Sequence, residues 1–101
     1  MEKFYSEKLY NLLMEIPKGK VTTYGILAEK LGNKLWARAV GNALHKNENS
    51  DKFPCYKVVN GKGELSVAYK FGGLKAQQER LEADGVKVIK GKIDLEKYLW
   101  K

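Results

Sequence analysis

Cys55 offers this chain a nucleophile. It is the only cysteine and lies in Phe53-Pro54-Cys55-Tyr56-Lys57-Val58-Val59, eight residues after Asn47 and seventeen after Arg38. A single thiol forms no internal disulfide, so its meaning depends on its surroundings. Lone cysteines are most often small buried hydrophobes. An ordinary thiol has a pKa of about 8.5 and is only slightly ionised at neutral pH, so covalent chemistry needs an activating neighbour. His45 is the only histidine. No Cys/His cluster, glycine-rich phosphate loop or paired-acid site stands out, so no metal or cofactor is implied.

The elements that must position this thiol are legible as punctuation. Leu9, Leu12, Leu13 and Ile16 fall at helical spacing and predict an amphipathic helix over 4–16, ended by Pro17-Lys18-Gly19-Lys20. Thr22 and Thr23 are N-cap candidates for a short helix through Tyr24, Leu27, Ala28 and Leu31, with Gly32-Asn33 as its stop. A third helix is expected from Leu35 to His45, with Ala37, Val40, Ala43 and Leu44 facing inward. Two short helices around a tight glycine turn make a helix-turn-helix pattern. Residues 47–54 read as a loop and 56–59 as a strand. Asn60-Gly61-Lys62-Gly63 is a turn signal, and 64–69 would return as a second strand, the wing of a winged helix. Gly72-Gly73 leads into a helix with Leu74 and Leu81 on one face and Gly85 as its cap. Val86 to Ile89 alternates like a strand, and 94–100 reads as a closing helix. The expected fold is mainly α with a small β wing, one winged helix-turn-helix domain over 1–101.

Composition narrows the partners. Lys+Arg number 19 against 12 Asp+Glu, a formal net charge of +7 in 101 residues. Such a bias favours polyanions, although lysine also simply keeps small proteins soluble. With 44% hydrophobic and 31% charged residues the chain reads as globular. No apolar run approaches the roughly 20 residues that span a bilayer, and no signal-peptide pattern opens the chain. A cytoplasmic monomer is expected, and one free cysteine suits a reducing compartment.

An ordered string of motifs goes further. Ile16-Pro17-Lys18-Gly19-Lys20-Val21-Thr22-Thr23-Tyr24-Gly25 is followed by Ala37-Arg38-Ala39-Val40-Gly41-Asn42-Ala43-Leu44, then Asn47, then Pro54-Cys55-Tyr56-Lys57-Val58-Val59, then Gly72-Gly73 and Leu81-Glu82-Ala83-Asp84-Gly85-Val86. This resembles the C-terminal DNA-binding domain of the O6-alkylguanine-DNA alkyltransferases and is equally similar to the alkyltransferase-like proteins. The resemblance covers roughly residues 4–89. The short chain, without the N-terminal domain of full-length alkyltransferases, favours the alkyltransferase-like group.

The resemblance implies roles. Cys55 matches the thiol that irreversibly accepts the alkyl group from O6 of guanine. The family activates it through a water held by a histidine and backed by a glutamate; here Tyr56 and Asp84 stand in those places. A neutral phenol is a poor proton acceptor. A longer tyrosine with a shorter aspartate would restore a thiol–water–phenol–carboxylate chain, while the alternative leaves Tyr56 as a strand residue beside a vestigial thiol. Arg38 matches the arginine that fills the gap left by the flipped base; alone, it would read as a surface arginine pairing with an acid such as Glu29. Tyr24 matches a tyrosine that presses on the phosphate 3′ to that base. Ala37, Ala39 and Gly41 keep the recognition helix slim, for a groove or for helix packing, and Asn42 and His45 complete its face. Asn47 matches a hinge between helix and cysteine loop. Tyr69 and Phe71 compete for an aromatic role in the base pocket. Lys18, Lys20, Lys34, Lys46, Lys52 and Lys57 would flank the DNA.

The implied partner is duplex DNA containing O6-alkylguanine. In one outcome Cys55 takes the alkyl group as a methylated-DNA–protein-cysteine methyltransferase. In another, the protein binds the lesion and flags it to nucleotide excision repair proteins. The rival from a different class is a winged-helix transcription regulator with no lesion preference.

Overall fold

A computed structural model describes residues 6–49, 51–65 and 71–101. Helix α1 spans Ser6–Glu15 and buries Leu9 and Leu13, one turn apart. A two-residue strand β1, Thr22–Thr23, leads into α2, Tyr24–Lys30. Thr23 caps α2, its hydroxyl accepting from the Ile26 amide. The chain leaves α2 through Gly32 at φ +112°. There the Gly32 amide donates to Glu29 O and the Asn33 amide to Ala28 O, a Schellman close that favours glycine. A 3₁₀ turn, Lys34–Trp36, runs directly into α3, Ala37–His45. The helix-turn-helix therefore stands as expected, with its third helix beginning as a 3₁₀ turn. A second 3₁₀ turn, Cys55–Lys57, precedes β2, Val58–Val59; then follow α4, Gly73–Ala83, and the single turn α5, Leu95–Tyr98, capped by Asp94.

β1 and β2 pair in parallel, Thr22 with Val58 and Thr23 with Val59. All four residues are buried, as the parallel ladder of a covered sheet requires. Successive side chains point to opposite faces. Val58 accordingly joins one apolar cluster with Leu9, Leu13, Leu27, Val40 and Cys55. Val59 joins the other, with Val21, Leu81, Val86 and Ile93.

This pairing gives Val58–Val59 a partner that the sequence does not suggest. The turn at 60–63 forms, with the Gly63 amide donating to Asn60 O and the Asn60 side chain accepting from Lys62 and Glu64 amides. Val58–Val59 nevertheless ladders with β1, and Glu64 bridges Lys92. Two consecutive buried valines suit a strand covered on both faces. The rest of the expected return strand, 66–69, lies outside the described residues. Tyr56, read as a strand residue, sits in the 3₁₀ turn, because Pro54 starts that turn and accepts the Lys57 amide. On α4, Leu74 is 40% exposed, and the buried face is instead Gln77 and Leu81. Val86 to Ile89 alternates between buried and exposed, but its ladder is reduced to one Ile89–Lys92 bridge. No helix among the described residues is long and apolar enough to cross a membrane.

Candidate functional site

Pro54 shapes the approach to the thiol. Its φ of −74° and ψ of 71° form an inverse γ-turn, closed by the Cys55 amide donating to Phe53 O at 2.7 Å. The Cys55 side chain is buried, 7% exposed, within the cluster shared by α1, α2 and α3. Phe53, Tyr56 and Phe71 are half-buried against the same cluster. Tyr69, the other aromatic expected there, lies outside the described residues.

Asn47 ties α3 to this loop. It is 2% exposed. Its Nδ2 donates to Phe53 O at 2.8 Å, and its Oδ1 accepts the Asn49 amide at 3.0 Å. Its own amide bonds Leu44 O at the end of the helix. One side chain thus links the end of α3 to the residue two before the thiol.

Two supports were not singled out from the sequence. Gln77 is 1% exposed on α4, and its Nε2 donates to Tyr56 O at 3.0 Å and Val58 O at 3.3 Å. It fixes the backbone on the far side of Cys55. The signal was a polar residue between Leu74 and Leu81, where the helix period calls for an apolar one. Tyr10 on α1 stacks on Phe53 with ring centroids 4.9 Å apart and donates its hydroxyl to Ala43 O at 2.9 Å. Burial raises the Tyr10 phenol above its ordinary range, with Cys55 and then Glu48 adding to the effect.

The Tyr56 phenol is also raised, first by burial and then by the Asp84 carboxylate, against a lowering by Arg80. The Arg80 guanidinium lies 4.8 Å from the Tyr56 ring centre and pairs with Asp51 at 2.8 Å. Tyr56 is therefore a neutral hydroxyl at physiological pH, able to hand on a proton but weak at taking one. Asp84, at the C-cap of α4, is held by Gly85 beyond it at φ +92°. Its Oδ2 accepts the Gly19 amide at 2.8 Å and pairs with Lys57 Nζ at 2.9 Å. Lys57 is 4% exposed and also donates to Pro17 O. This removes Lys57 from the expected DNA-flanking set: the 3₁₀ turn carries it inward, where it bridges the Pro17–Gly19 turn to α4. Lys18, Lys34, Lys46 and Lys52 are exposed, and Lys20 is half-buried with its ammonium on Lys97 O.

On α3, Arg38, Asn42 and His45 are exposed and share one face at i, i+4 and i+7. Among the described residues Arg38 forms no ion pair with Glu29. Ala37, Ala39 and Gly41 are half-buried and add little bulk beside that face. The Tyr24 ring, half-buried at the start of α2, lies against α3, since a methyl on Gly41 would stand 4.0 Å from its Cε1. The arrangement sets a slim cationic helix face on one side of Asn47 and a thiol on the other.

A family model for the DNA-binding domain of 6-O-methylguanine DNA methyltransferase matches residues 4–86. A DNA base-flipping protein of Vibrio parahaemolyticus is 40% identical over 101 residues, 99% of this chain and 98% of that protein. A bifunctional methyltransferase/endonuclease of Picrophilus torridus is 44% identical over 90 residues, 89% of this chain, which spans only 30% of that protein's length. Among solved structures, an alkyltransferase-like protein of S. pombe, in complex with damaged DNA containing O6-carboxymethylguanine, superposes with a TM-score of 0.86 at 35% identity, covering 95% of this chain and 94% of that one.

Proposed function

This chain belongs to the family of 6-O-methylguanine DNA methyltransferase DNA-binding domains, and from that premise we propose that it is a DNA-repair protein that binds duplex DNA and flips O6-alkylguanine toward Cys55. The observation that carries this reading is the Asn47 link, which couples the exposed Arg38 helix to the cysteine loop. Arg38 fills the space the base vacates, offsetting part of an unstacking cost of a few kcal/mol. Tyr24 supports the neighbouring phosphate, and Asn42 and His45 lie along the same groove. Phe71, half-buried against the cluster that holds Cys55, supplies an aromatic wall to the base pocket. The protein acts as a monomer in the cytoplasm, a setting that suits its single reduced thiol.

In the first form of this reading Cys55 is the acceptor. The sulfur attacks the alkyl carbon, the S–C bond forms as the C–O6 bond breaks, and guanine leaves with a proton gained. Tyr56 relays the thiol proton, and Asp84 adjusts the phenol through its charge. A second form is favoured by one specific observation: the Asp84 carboxylate is already engaged by Lys57 and Gly19. In that form the protein holds the lesion without reacting and marks it for nucleotide excision repair. Incubation with a duplex carrying O6-methylguanine, followed by the mass of the intact protein, separates them. One added methyl on Cys55 establishes the acceptor. Lesion-selective binding with unchanged mass establishes the sensor. Equal affinity for damaged and undamaged DNA overturns both and leaves a sequence-reading regulator.

A further inference from the structure

We propose that Leu35 is an apolar wedge that enters the DNA groove beside Arg38 and helps hold the duplex open at the flipped base. The proposal rests on the base-flipping reading above and names a further residue of the same interface.

Leu35 is 82% exposed, against 57% for Ile89, 48% for Met14 and 40% for Leu74. A scattered surface leucine needs no explanation; this one is distinguished by its place and its anchored backbone. It lies in the 3₁₀ turn that runs into α3, three residues before Arg38. Leu35, Arg38, Asn42 and His45 follow one another at spacings of three, four and three, and all four are exposed. The stripe that carries the guanidinium therefore begins with an isobutyl group.

The turn also fixes the backbone that carries that group. Asn33 caps it twice, its Oδ1 accepting the Leu35 amide at 2.9 Å and its carbonyl accepting the Trp36 amide at 2.9 Å. Trp36 packs against the apolar cluster beneath. The Leu35 backbone is thus anchored before and after the side chain that points away. Pre-ordering of this kind lowers the entropy lost when a side chain is inserted. Exposed Lys34 beside it supplies a phosphate contact, and half-buried Ala37 keeps the backbone close. Proteins that open a duplex commonly pair a cationic contact with a leucine, phenylalanine or methionine pressed against a base step. The cation alone competes for the vacated stack; the wedge keeps the step from closing.

The test compares the full-length protein with Leu35→Ala and Leu35→Met on a duplex containing O6-methylguanine with 2-aminopurine beside it. Leu35→Ala is expected to weaken lesion binding about tenfold, the loss of a buried leucine's worth of contact, and to reduce the fluorescence gained on unstacking. Its melting temperature stays nearly unchanged, because the side chain is 82% exposed in the free protein. Leu35→Met keeps both affinity and fluorescence. Wild-type affinity and fluorescence in Leu35→Ala, with lesion preference intact, overturn the wedge. Equal loss in the Ala and Met variants also overturns it, since methionine preserves the apolar volume. If the unaltered protein shows no lesion preference, the base-flipping reading itself has failed, and the wedge falls with it.

Discussion

The Lys57 ammonium lies 2.9 Å from the Asp84 carboxylate, with side-chain exposures of 5% and 14%. The two residues join the cysteine turn to the end of α4, and the Gly19 amide and Pro17 carbonyl complete the set. Two desolvated charges of this kind add little net stability as a pair but are costly to separate. Lys57→Met should therefore destabilise the fold by about 3 kcal/mol, read as a lower urea midpoint with an unchanged slope. Adding Asp84→Asn should restore much of it, since no buried charge is then left alone. A single variant as stable as the wild type would show that water replaces the lysine there.

Tyr56 has a narrower job. Its phenol is raised above 10.0 and sits under the Arg80 guanidinium, so it serves as a neutral relay and not as a base. Tyr56→Phe keeps the ring and its cation contact, loses the phenol's hydrogen bond with Arg80, and should lower stability by only about 1 kcal/mol. In single-turnover alkyl transfer it should slow the reaction about 100-fold, the low end for a lost proton-transfer group. An unaltered rate would take Tyr56 out of the chemistry.

These two residues mark where the sequence stops being readable. The caps Thr23, Gly32 and Gly85 are legible because each acts on backbone within a few residues of itself. The β1–β2 pairing was not, because Thr22 and Val58 are brought together only by tertiary packing. Lys57 looked like a surface lysine for the same reason: its partner, Asp84, is distant in the chain. Arg38, Asn42 and His45 could be placed on one face from helical period alone. Gln77 is not legible because a polar residue in an amphipathic helix ordinarily faces water, whereas this one donates to the carbonyls of Tyr56 and Val58.

Arg38 carries the most direct test of the interface. It is exposed and forms no ion pair among the described residues. Arg38→Ala should therefore leave the melting temperature unchanged. It should weaken binding to a lesion duplex by about 10- to 100-fold, the share of unstacking energy the guanidinium offsets. Binding to undamaged duplex should fall less. Equal losses on both duplexes would make Arg38 a phosphate contact only.

Alkaline pH should find Tyr10. Its hydroxyl donates to Ala43 O at 2.9 Å, and its pKa is raised above 10.0 by burial first, then by Cys55 and Glu48. A raised phenol binds its proton more tightly in the folded state than in the unfolded chain. Its contribution is thus complete below the unfolded value near 10 and is lost as pH rises through the folded one. Stability followed by chemical denaturation should decline above about pH 10. Tyr10→Phe should flatten part of that decline while lowering stability at neutral pH. A slope identical to the wild type would assign the decline elsewhere.

Thr22 and Thr23 make the sharpest contrast in the molecule, because adjacent residues of one type should respond in opposite directions. Both are buried in β1. Thr23 Oγ1 accepts the Ile26 amide at 3.1 Å, so Thr23→Val removes a helix cap and should cost about 1 kcal/mol. Thr22 Oγ1 is buried without a hydrogen-bond partner among the described residues. Valine keeps the shape and β-branching and replaces the hydroxyl with a methyl that packs against its buried surroundings. Thr22→Val should therefore raise stability by about 1 kcal/mol, seen as a higher melting temperature. Destabilisation by Thr22→Val would mean that its hydroxyl holds an ordered water across the β1–β2 pair, and the valine variant would then have displaced it.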